Sequence, residues 1–301
     1  MSAWLISIEG TDAGRWLALV LALSAALFHA IIGAIQKGKI DPWTSRAAID
    51  VCYGLISLPL VFFVVPWPEP HMWPIFACVM VIHLGYKVSQ ASAYSAGAFT
   101  VVYPVVRGLG PFFTVIAAGV LFGERFTGTQ WLGVGVLMAG IFGLAIFNLM
   151  YQEVQRDTLH RALIFAVITG GFVALYTTYD AYGIRATADP FTFIAWFFLV
   201  DSFGMPLIRW LAPPAASKPA RFGDLIKVAV PGALVAYMSF GTLLLATRLD
   251  KVGEAAVLRE TSAVFAALIG WLFLKETVGP VRALLMALIA LGAVVVEFGG
   301  F

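Results

Sequence analysis

Two arginines that lie inside apolar stretches, Arg107 and Arg259, have the clearest potential for chemistry in this sequence. Each is followed 17 residues later by a glutamate, Glu124 or Glu276. A guanidinium group stays charged and binds carboxylate, phosphate or phosphonate oxygens through two parallel hydrogen bonds. The pair is therefore predicted to hold the anionic group of a small substrate. The alternative interpretation is a buried structural network in which the arginines pair with acidic residues.

Other ionisable side chains also fall in apolar stretches, where a charge normally faces a protein interior or a water-filled cavity. Lys87 and His83 are four residues apart, so a helix places them on one face. Lys87 borders the substrate, takes part in proton transfer, or neutralises a carboxylate. His29 is either a ligand or proton relay, or a hydrogen-bonded core residue.

Three aspartates, Asp50, Asp180 and Asp201, are embedded in similar sequence. Each either titrates and couples transport to protons, because burial disfavours a charged carboxylate, or is a counter-ion of an arginine. Glu260 has the second role if the network is structural. Deeply placed aromatic side chains can line a cavity or hold a cation. The candidate substrate-binding residues are Arg107, Arg259, Glu260, Tyr103, Lys87, His83, His29, Tyr176, Tyr179, Asp180, Trp196 and Tyr237.

The composition requires a membrane setting for these residues. Of 301 residues, 61% are hydrophobic and 12% are charged, whereas soluble domains have roughly 25% charged residues. A soluble globular protein is excluded. With a net charge of +2 and no long basic run, nucleic acid is not an expected partner. The expected partners are a small-molecule substrate and the lipid bilayer, and the chain is expected to be a monomer or a homodimer.

Cofactors, metal ions and catalytic residues are not predicted. The two cysteines, Cys52 and Cys78, lie in apolar stretches, so neither a disulfide framework nor a cysteine metal site is indicated.

Ten apolar stretches are long enough to cross a membrane. A hydrocarbon core about 30 Å thick needs roughly 20 residues of helix, and backbone groups cannot remain unpaired in lipid. We predict an all-α polytopic membrane protein with ten transmembrane helices. The predicted spans are 17–36, 44–65, 73–95, 98–122, 129–149, 162–183, 190–211, 225–247, 253–274 and 278–298.

The two halves of the chain resemble each other. A shift of 152 residues superposes Arg107 on Arg259, and a shift of 148 superposes Asp41-Pro42-Trp43-Thr44 on Asp189-Pro190-Phe191-Thr192. We predict one five-helix repeat over 1–150 and a second over 151–301. Because five is odd, the second copy enters the membrane from the opposite side. Transporters with such inverted repeats bind substrate near the membrane midplane, where the repeats meet.

The position of the chain in its membrane follows from charge counts. Ten Lys and Arg residues lie at the odd-numbered connections and five on the opposite side, which favours termini outside the cytoplasm. The N-terminus does not have the pattern of a cleaved signal peptide. The expected location is the cytoplasmic (inner) membrane of a bacterium.

The ends of the fourth and ninth spans carry a family pattern. Leu121-Phe122-Gly123-Glu124-Arg125-Phe126-Thr127 and Leu274-Lys275-Glu276-Thr277 are each followed by a glycine-rich apolar span, and Pro111 stands 13 residues before Glu124. On these residues the chain resembles the EamA-like branch of the drug/metabolite transporter superfamily over essentially its full length. Ala263, at the place matching Pro111, departs from the pattern. The resemblance implies ten helices in two inverted repeats that move small metabolites or drugs.

We therefore expect a secondary transporter for a small polar metabolite with an anionic group: a carboxylate, phosphate or phosphonate, amino-acid-like molecules included. Alternating access would use Pro104, Pro111 and Pro231 as kinks, and Gly108 and Gly110 would help to open the backbone beside Arg107.

Two alternatives remain at this point. One is a passive channel. The other is an intramembrane enzyme, because Tyr179-Asp180 matches half of an aspartyl protease signature; its Gly-x-Gly-Asp partner is absent from the sequence.

Overall fold

A computed structural model describes residues 2–36, 40–96, 99–151, 156–211, 220–274 and 279–300. These residues form thirteen helices. Their bounds are α1 Ser2–Ser7, α2 Asp12–Gln36, α3 Pro42–Phe63, α4 Met72–Ala96, α5 Phe99–Phe122, α6 Gly128–Tyr151, α7 Arg156–Ala186, α8 Pro190–Asp201, α9 Gly204–Leu211, α10 Phe222–Leu249, α11 Val252–Arg259, α12 Ser262–Leu274 and α13 Pro280–Phe298.

The helices make the ten predicted membrane crossings. In the described part of the chain, nine segments are long and apolar enough to cross, and α8 with α9 is one of them. The tenth crossing, predicted over 253–274, is divided into α11 and α12 by Glu260 and Thr261. Two crossings in the second half are thus discontinuous, whereas their equivalents in the first half, α3 and α5, are single helices.

Two helix starts confirm that the halves have equivalent local structure. Asp41 is the N-cap of α3, and its side chain accepts a hydrogen bond from the Thr44 amide. Asp189 is the N-cap of α8 and accepts from the Phe191 amide. A proline follows each aspartate, where its missing N–H costs nothing. The correspondence at a shift of 148 therefore reflects the same capping chemistry in both halves.

The helices pack in pairs that have equivalents when the first and second halves of the chain are interchanged. Helix α2 packs along α10, and the equivalent pair is α7 along α4. Likewise α5 packs on α7, as α11 and α12 pack on α2. The fifth and tenth crossings, α6 and α13, pack against each other. Each contact between the halves has its counterpart, as expected for two inverted repeats.

Glycines bring α6 and α13 into close contact. A Cβ added at Gly133 would lie 2.8 Å from the Gly292 carbonyl oxygen, and one at Gly140 would lie 2.8 Å from the Leu285 carbonyl oxygen. Gly143 packs equally tightly against the Leu285 side chain, whereas Gly135 faces open space. Small residues allow this backbone approach in membrane helices. Gly133, Gly140 and Gly143 therefore allow α6 to pack closely on α13.

The outer surface is apolar, as a lipid-facing surface must be. Large hydrophobic side chains with more than half of their surface exposed include Val120, Leu55, Phe62, Leu132 and Leu284. The polar side chains at membrane depth lie inside, and Asp50, Lys87, His83, Asp180 and Arg259 are each at most 3% exposed. The fold therefore places the ionisable residues between the two halves.

Candidate functional site

Arg107 and Arg259 come together with His29 and Glu260, and we name these four residues the arginine cluster. Arg107 Nε lies 2.8 Å from Glu260 Oε2, although the two groups are not aligned for a hydrogen bond. Arg107 Nη2 donates to the Arg259 carbonyl oxygen at 3.3 Å and to the Ser262 hydroxyl. The predicted pairing of an arginine with Glu260 is therefore present, and it involves the arginine of the other half.

Arg259 has fewer partners. Its Nη1 donates to the Tyr176 hydroxyl at 3.1 Å, and its guanidinium carbon lies 4.9 Å from the centre of the Phe240 ring. Among the described residues, the ion pairs of the cluster do not include a carboxylate for Arg259, and its buried Nε has no hydrogen-bond partner there. A buried donor without an acceptor is costly.

His29 lies between the two guanidinium groups. Its Nε2 is 3.3 Å from Arg107 Nη1, and its Nδ1 is 3.4 Å from Arg259 Nη2. A neutral imidazole has one acceptor nitrogen, so only one arginine can donate to it at a time. The cluster thus presents more positive donors than the acceptors around it satisfy.

The interruption between α11 and α12 builds this arrangement. Arg259 ends α11, and the amides of Glu260 and Thr261 donate to the Val257 and Leu258 carbonyls of its last turn. The Arg259 carbonyl lies beyond these bonds and can accept from a side chain. Arg107 supplies this donor. The expectation of an open backbone beside Arg107 was wrong: α5 continues through Gly108, Gly110 and Pro111. Gly110 instead allows close packing, since a Cβ there would lie 2.7 Å from the Val173 side chain.

A second group of ionisable residues, which we name the aspartate network, comprises Arg46, Asp50, Lys87, Asp201, His83 and Asp180. Lys87 Nζ lies 2.5 Å from Asp50 Oδ2 and 2.9 Å from Asp201 Oδ2. Tyr53 donates to the same Asp201 oxygen at 2.6 Å. Lys87 therefore neutralises carboxylates here, one of its three predicted roles.

Two further pairs complete the aspartate network. Arg46 Nε lies 3.0 Å from Asp50 Oδ1. His83 Nε2 lies 2.8 Å from Asp180 Oδ2, and its Nδ1 lies 4.0 Å from Asp201 Oδ1. When Asp180 is ionised it can only accept, so a neutral His83 then donates from Nε2 and has its acceptor nitrogen at Nδ1.

Aromatic rings connect the arginine cluster to the aspartate network. The Tyr176 ring is 4.8 Å from the His83 ring and 4.9 Å from the Tyr86 ring, centre to centre. Phe240 lies 6.2 Å from His83 and supports the Arg259 guanidinium. The Tyr176 and Phe240 rings thus contact residues of both the arginine cluster and the aspartate network.

Both groups contain residues that touch their own equivalents in the other half. Arg107 donates to Arg259, 152 residues away, and Tyr53 donates to Asp201, 148 residues away. Equivalent residues can meet only close to the axis that relates the repeats. The arginine cluster and the aspartate network therefore both lie on the pseudo-twofold axis, where the predicted substrate site was expected.

The face that carries both chain termini is closed by polar contacts between the halves, which we name the terminal-face latch. Glu124 accepts from the amides of Val252 and Gly253 at 2.7 and 3.0 Å, at the start of α11. Arg185 lies 3.8 Å from Glu124, and Arg248 lies 2.5 Å from Glu9. The positive end of the helix dipole favours the Glu124 carboxylate.

Two carboxyl groups of this face have shifted pKa values. Burial raises the pKa of Glu124, an effect that the Gly253 and Val252 amides and Arg185 oppose. The Ala188 amide, which donates to Glu69 at 3.0 Å, lowers the pKa of Glu69. Glu124 thus pairs with backbone amides and with Arg185 at the end of its span; Glu276 lies outside the described residues.

The four remaining candidate residues differ in position, and the ring contacts of Trp196 and Tyr179 lie outside both groups of charges. Trp196 packs between Trp67 and Trp73, 5.2 and 5.0 Å from their ring centres. The Tyr179 ring contacts Tyr182 at 5.9 Å. Tyr237 stacks on Phe198 and bonds Ser57 at 3.2 Å, beside the aspartate network. The side chain of Tyr103 lies outside the described residues.

Five residues belong to the site but were not among the substrate-binding candidates from the sequence: Arg46, Tyr53, Tyr86, Phe240 and Ser262. Tyr53 had a signal, because a shift of 148 places it on Asp201. Arg46 is four residues before Asp50, a spacing that pairs charges on a helix. Phe240 and Ser262 are ordinary apolar-span residues, and only the tertiary packing brings them to the arginines.

Comparisons with known proteins match this architecture. A family model described as the EamA-like transporter family matches residues 16–146 and again residues 160–298. A solved structure described only as "Crystal structure of protein" has a TM-score of 0.77 at 18% sequence identity, covering 93% of this chain and 97% of that chain. At this identity the likeness shows the fold alone. Among curated proteins, none gives a significant sequence match.

Proposed function

Since the family model matches both halves, the chain belongs to the EamA-like transporter family, and we propose that it is a secondary transporter for a small polar metabolite with an anionic group. Carboxylates, phosphates and phosphonates are the groups in question, amino-acid-like molecules included. The arginine cluster is the proposed binding site. The bacterial cytoplasmic membrane stays a prediction.

The observation that carries this proposal is the incomplete pairing of Arg259. Arg107 and Arg259 bring two positive charges, and Glu260 is the carboxylate paired with them. The buried Nε of Arg259 has no acceptor among the described residues. A planar guanidinium group binds an oxyanion through two hydrogen bonds. A bound anion would satisfy this donor and balance the remaining charge.

The helices also support a site at this place. Transporters with inverted repeats bind substrate at discontinuous helices near the repeat interface. The interruption between α11 and α12 follows Arg259 directly, and the one between α8 and α9 follows Asp201. In the proposed transport cycle, the two halves move relative to each other. The contacts of the terminal-face latch break and re-form, which opens and closes the substrate path at the face that carries the chain termini.

Ligand binding to the purified protein tests the proposal first. The panel is acetate, phosphate, methylphosphonate, methanesulfonate and glycine, with tetramethylammonium as the cationic control. A ligand that binds the folded state raises the melting temperature. We expect anions to stabilise the protein and tetramethylammonium to leave it unchanged. Uptake of the best radiolabelled anion into proteoliposomes then tests transport, and its saturation with concentration separates a carrier from a channel.

Charge-neutralising variants test the place of binding. Arg107→Gln and Arg259→Gln are expected to abolish anion stabilisation and uptake. Arg221→Gln is the matched control, because Arg221 is exposed at the start of α10 and makes no capping hydrogen bond. Full uptake by both cluster variants would contradict the assigned site.

A further inference from the structure

The aspartate network and the arginine cluster have net charges of opposite sign. The aspartate network has three carboxylates, on Asp50, Asp180 and Asp201, in contact with two permanent cations, Lys87 and Arg46. With His83 neutral it has one negative charge too many. The arginine cluster has two guanidinium groups and one carboxylate, so it has one positive charge too many.

The two excesses cancel as long as the arginine cluster holds no anion. Tyr176 and Phe240 hold the groups close, since both rings contact His83 and Arg259. A monoanion bound to the arginines removes the positive excess and leaves the negative one uncompensated. An uncompensated charge is unfavourable in a buried, membrane-embedded setting. The anion therefore favours any process that adds one positive charge to the aspartate network.

His83 is the group that can add this charge. Its charged and titratable contacts are Asp180 and Tyr176 on α7 and Asp201 on α8. Asp201 connects it to Lys87 on its own α4 and to Tyr53 on α3, and Lys87 connects it to Asp50 and then Arg46 on α3. Tyr176 connects it to Tyr86 on α4 and to Arg259 on α11, and α10 contributes the Phe240 ring; Tyr237 of the same helix bonds Ser57. Asp180 holds the Nε2–H of His83, and Nδ1 points toward Asp201 Oδ1 at 4.0 Å. A proton on Nδ1 would turn this contact into a charge-assisted hydrogen bond.

The other titratable groups are less suited. Asp50 and Asp201 already share Lys87, and Asp50 also pairs with Arg46. His29 has a guanidinium group at each ring nitrogen, and these two charges oppose a third. Asp180 keeps one oxygen, Oδ1, without a partner among the described residues, and an imidazolium beside it would compensate that buried charge.

We propose that His83 is a proton-binding site coupled to the arginine cluster, so that one proton is taken up with each monoanion and the two cross the membrane together. This inference rests on the proposed function. Coupling between two sites is reciprocal, so protonation of His83 must tighten anion binding by the same factor by which the anion favours protonation.

Calorimetric titration with acetate and with methanesulfonate measures the coupling directly. Both probes stay ionised between about pH 6 and pH 8, so a proton taken up on binding belongs to the protein. Comparing buffers of different ionisation enthalpy gives the number of protons. We expect a count that approaches one within this range and, in the same range, a Kd that rises by up to about tenfold per pH unit, because the pH slope of log Kd equals the number of protons taken up.

Histidine variants locate the proton. His83→Gln keeps a donor for Asp180 but cannot titrate, so we expect anion binding with no proton uptake and a Kd independent of pH. His71→Gln is the matched control, because His71 is exposed in the loop before α4, and it should keep the wild-type count.

The outcomes separate the two proposals. Binding of either anion to the wild-type protein with no proton uptake at any pH overturns the coupling and leaves the proposed function intact. An unchanged count in His83→Gln overturns the assignment to His83. A protein that binds neither anion overturns the proposed function and the coupling with it. The wild-type count decides the coupling even if His83→Gln does not fold.

Discussion

The arginine cluster and the aspartate network are both buried groups of charges on the same axis, but they differ in how far the protein satisfies the buried cation of each, Arg259 and Lys87. In the aspartate network, Lys87 has two carboxylates, a phenol and a backbone carbonyl around it. In the arginine cluster, Arg259 has a phenol, a shared imidazole and an aromatic face. Burial of a cation therefore does not by itself indicate an anion-binding site; its missing counter-charge does.

The two halves also differ in their helix structure around the equivalent arginines. Arg107 lies inside the continuous helix α5, and Arg259 lies at the C-terminal end of the short helix α11. The last carbonyl of α11 accepts from Arg107. Arg107 of the first half thus supplies the donor, and the Arg259 carbonyl of the second half supplies the acceptor. Two residues that are equivalent in sequence therefore have different roles.

Removing Lys87 should produce the largest effect. Lys87→Met leaves Asp50 and Asp201 without their shared cation, and breaking a buried ion pair typically costs about 3–5 kcal/mol. We expect the melting temperature of the purified protein to fall steeply, with no recovery on addition of acetate. The measurement is thermal unfolding followed by intrinsic fluorescence.

Lys227→Met is the control for this change, because Lys227 is exposed and lies 3.9 Å from Asp224. Its effect should stay within about 0.5 kcal/mol. The double variant Lys87→Met with Asp50→Asn should recover part of the loss, since it removes one of the two uncompensated carboxylates. An unchanged melting temperature for Lys87→Met would show that the aspartate network is not a stabilising counter-charge system.

Sequence was sufficient for the parts of this molecule that depend on local chemistry. Hydropathy located the ten crossings, and the repeated Asp-Pro pairs marked two helix starts, both of which the structure shows to be capped by the aspartate. The repeat at a shift of 152 identified Arg107 and Arg259 as equivalents, and inverted repeats bring such residues toward a common axis. The meeting of the two arginines followed from these facts.

The interruptions of the helices could not be predicted in the same way. Pro111 was a candidate kink, but α5 continues through it, and prolines are tolerated within membrane helices because neighbouring groups satisfy the backbone carbonyl that they free. The break after Arg259 has no proline or glycine at Glu260 and Thr261. A donor from Arg107 satisfies the freed carbonyl, and a contact over 152 residues leaves no local pattern in sequence.

Removing Glu260 should have a smaller effect that an anion reverses. Glu260→Gln takes away the carboxylate paired with Arg107, but Arg107 keeps its bonds to the Arg259 carbonyl and to Ser262. We expect a loss of about 1–3 kcal/mol without ligand. Acetate should raise the melting temperature of this variant more than that of the wild type, because it replaces the missing negative charge.

The comparison of Glu260→Gln with Lys87→Met is the test of this prediction. Both variants remove one side of a buried ion pair, yet only Glu260→Gln leaves an excess that an anion can satisfy. Equal responses of the two variants to acetate would mean that the distinction between the arginine cluster and the aspartate network is wrong.

Removing the Tyr176 hydroxyl should have the smallest effect, because it affects only the link between the two groups. Tyr176→Phe keeps the ring contacts with His83 and Tyr86 and loses the bond from Arg259 Nη1. We expect about 1 kcal/mol of lost stability without ligand, measured by thermal unfolding. Methanesulfonate should recover it, since its oxygens can accept from the freed Nη1. Tyr182→Phe, at a half-exposed position on the same helix α7, should change neither quantity. If methanesulfonate does not recover Tyr176→Phe, the anion does not reach Arg259, and Arg107 alone would have to hold it.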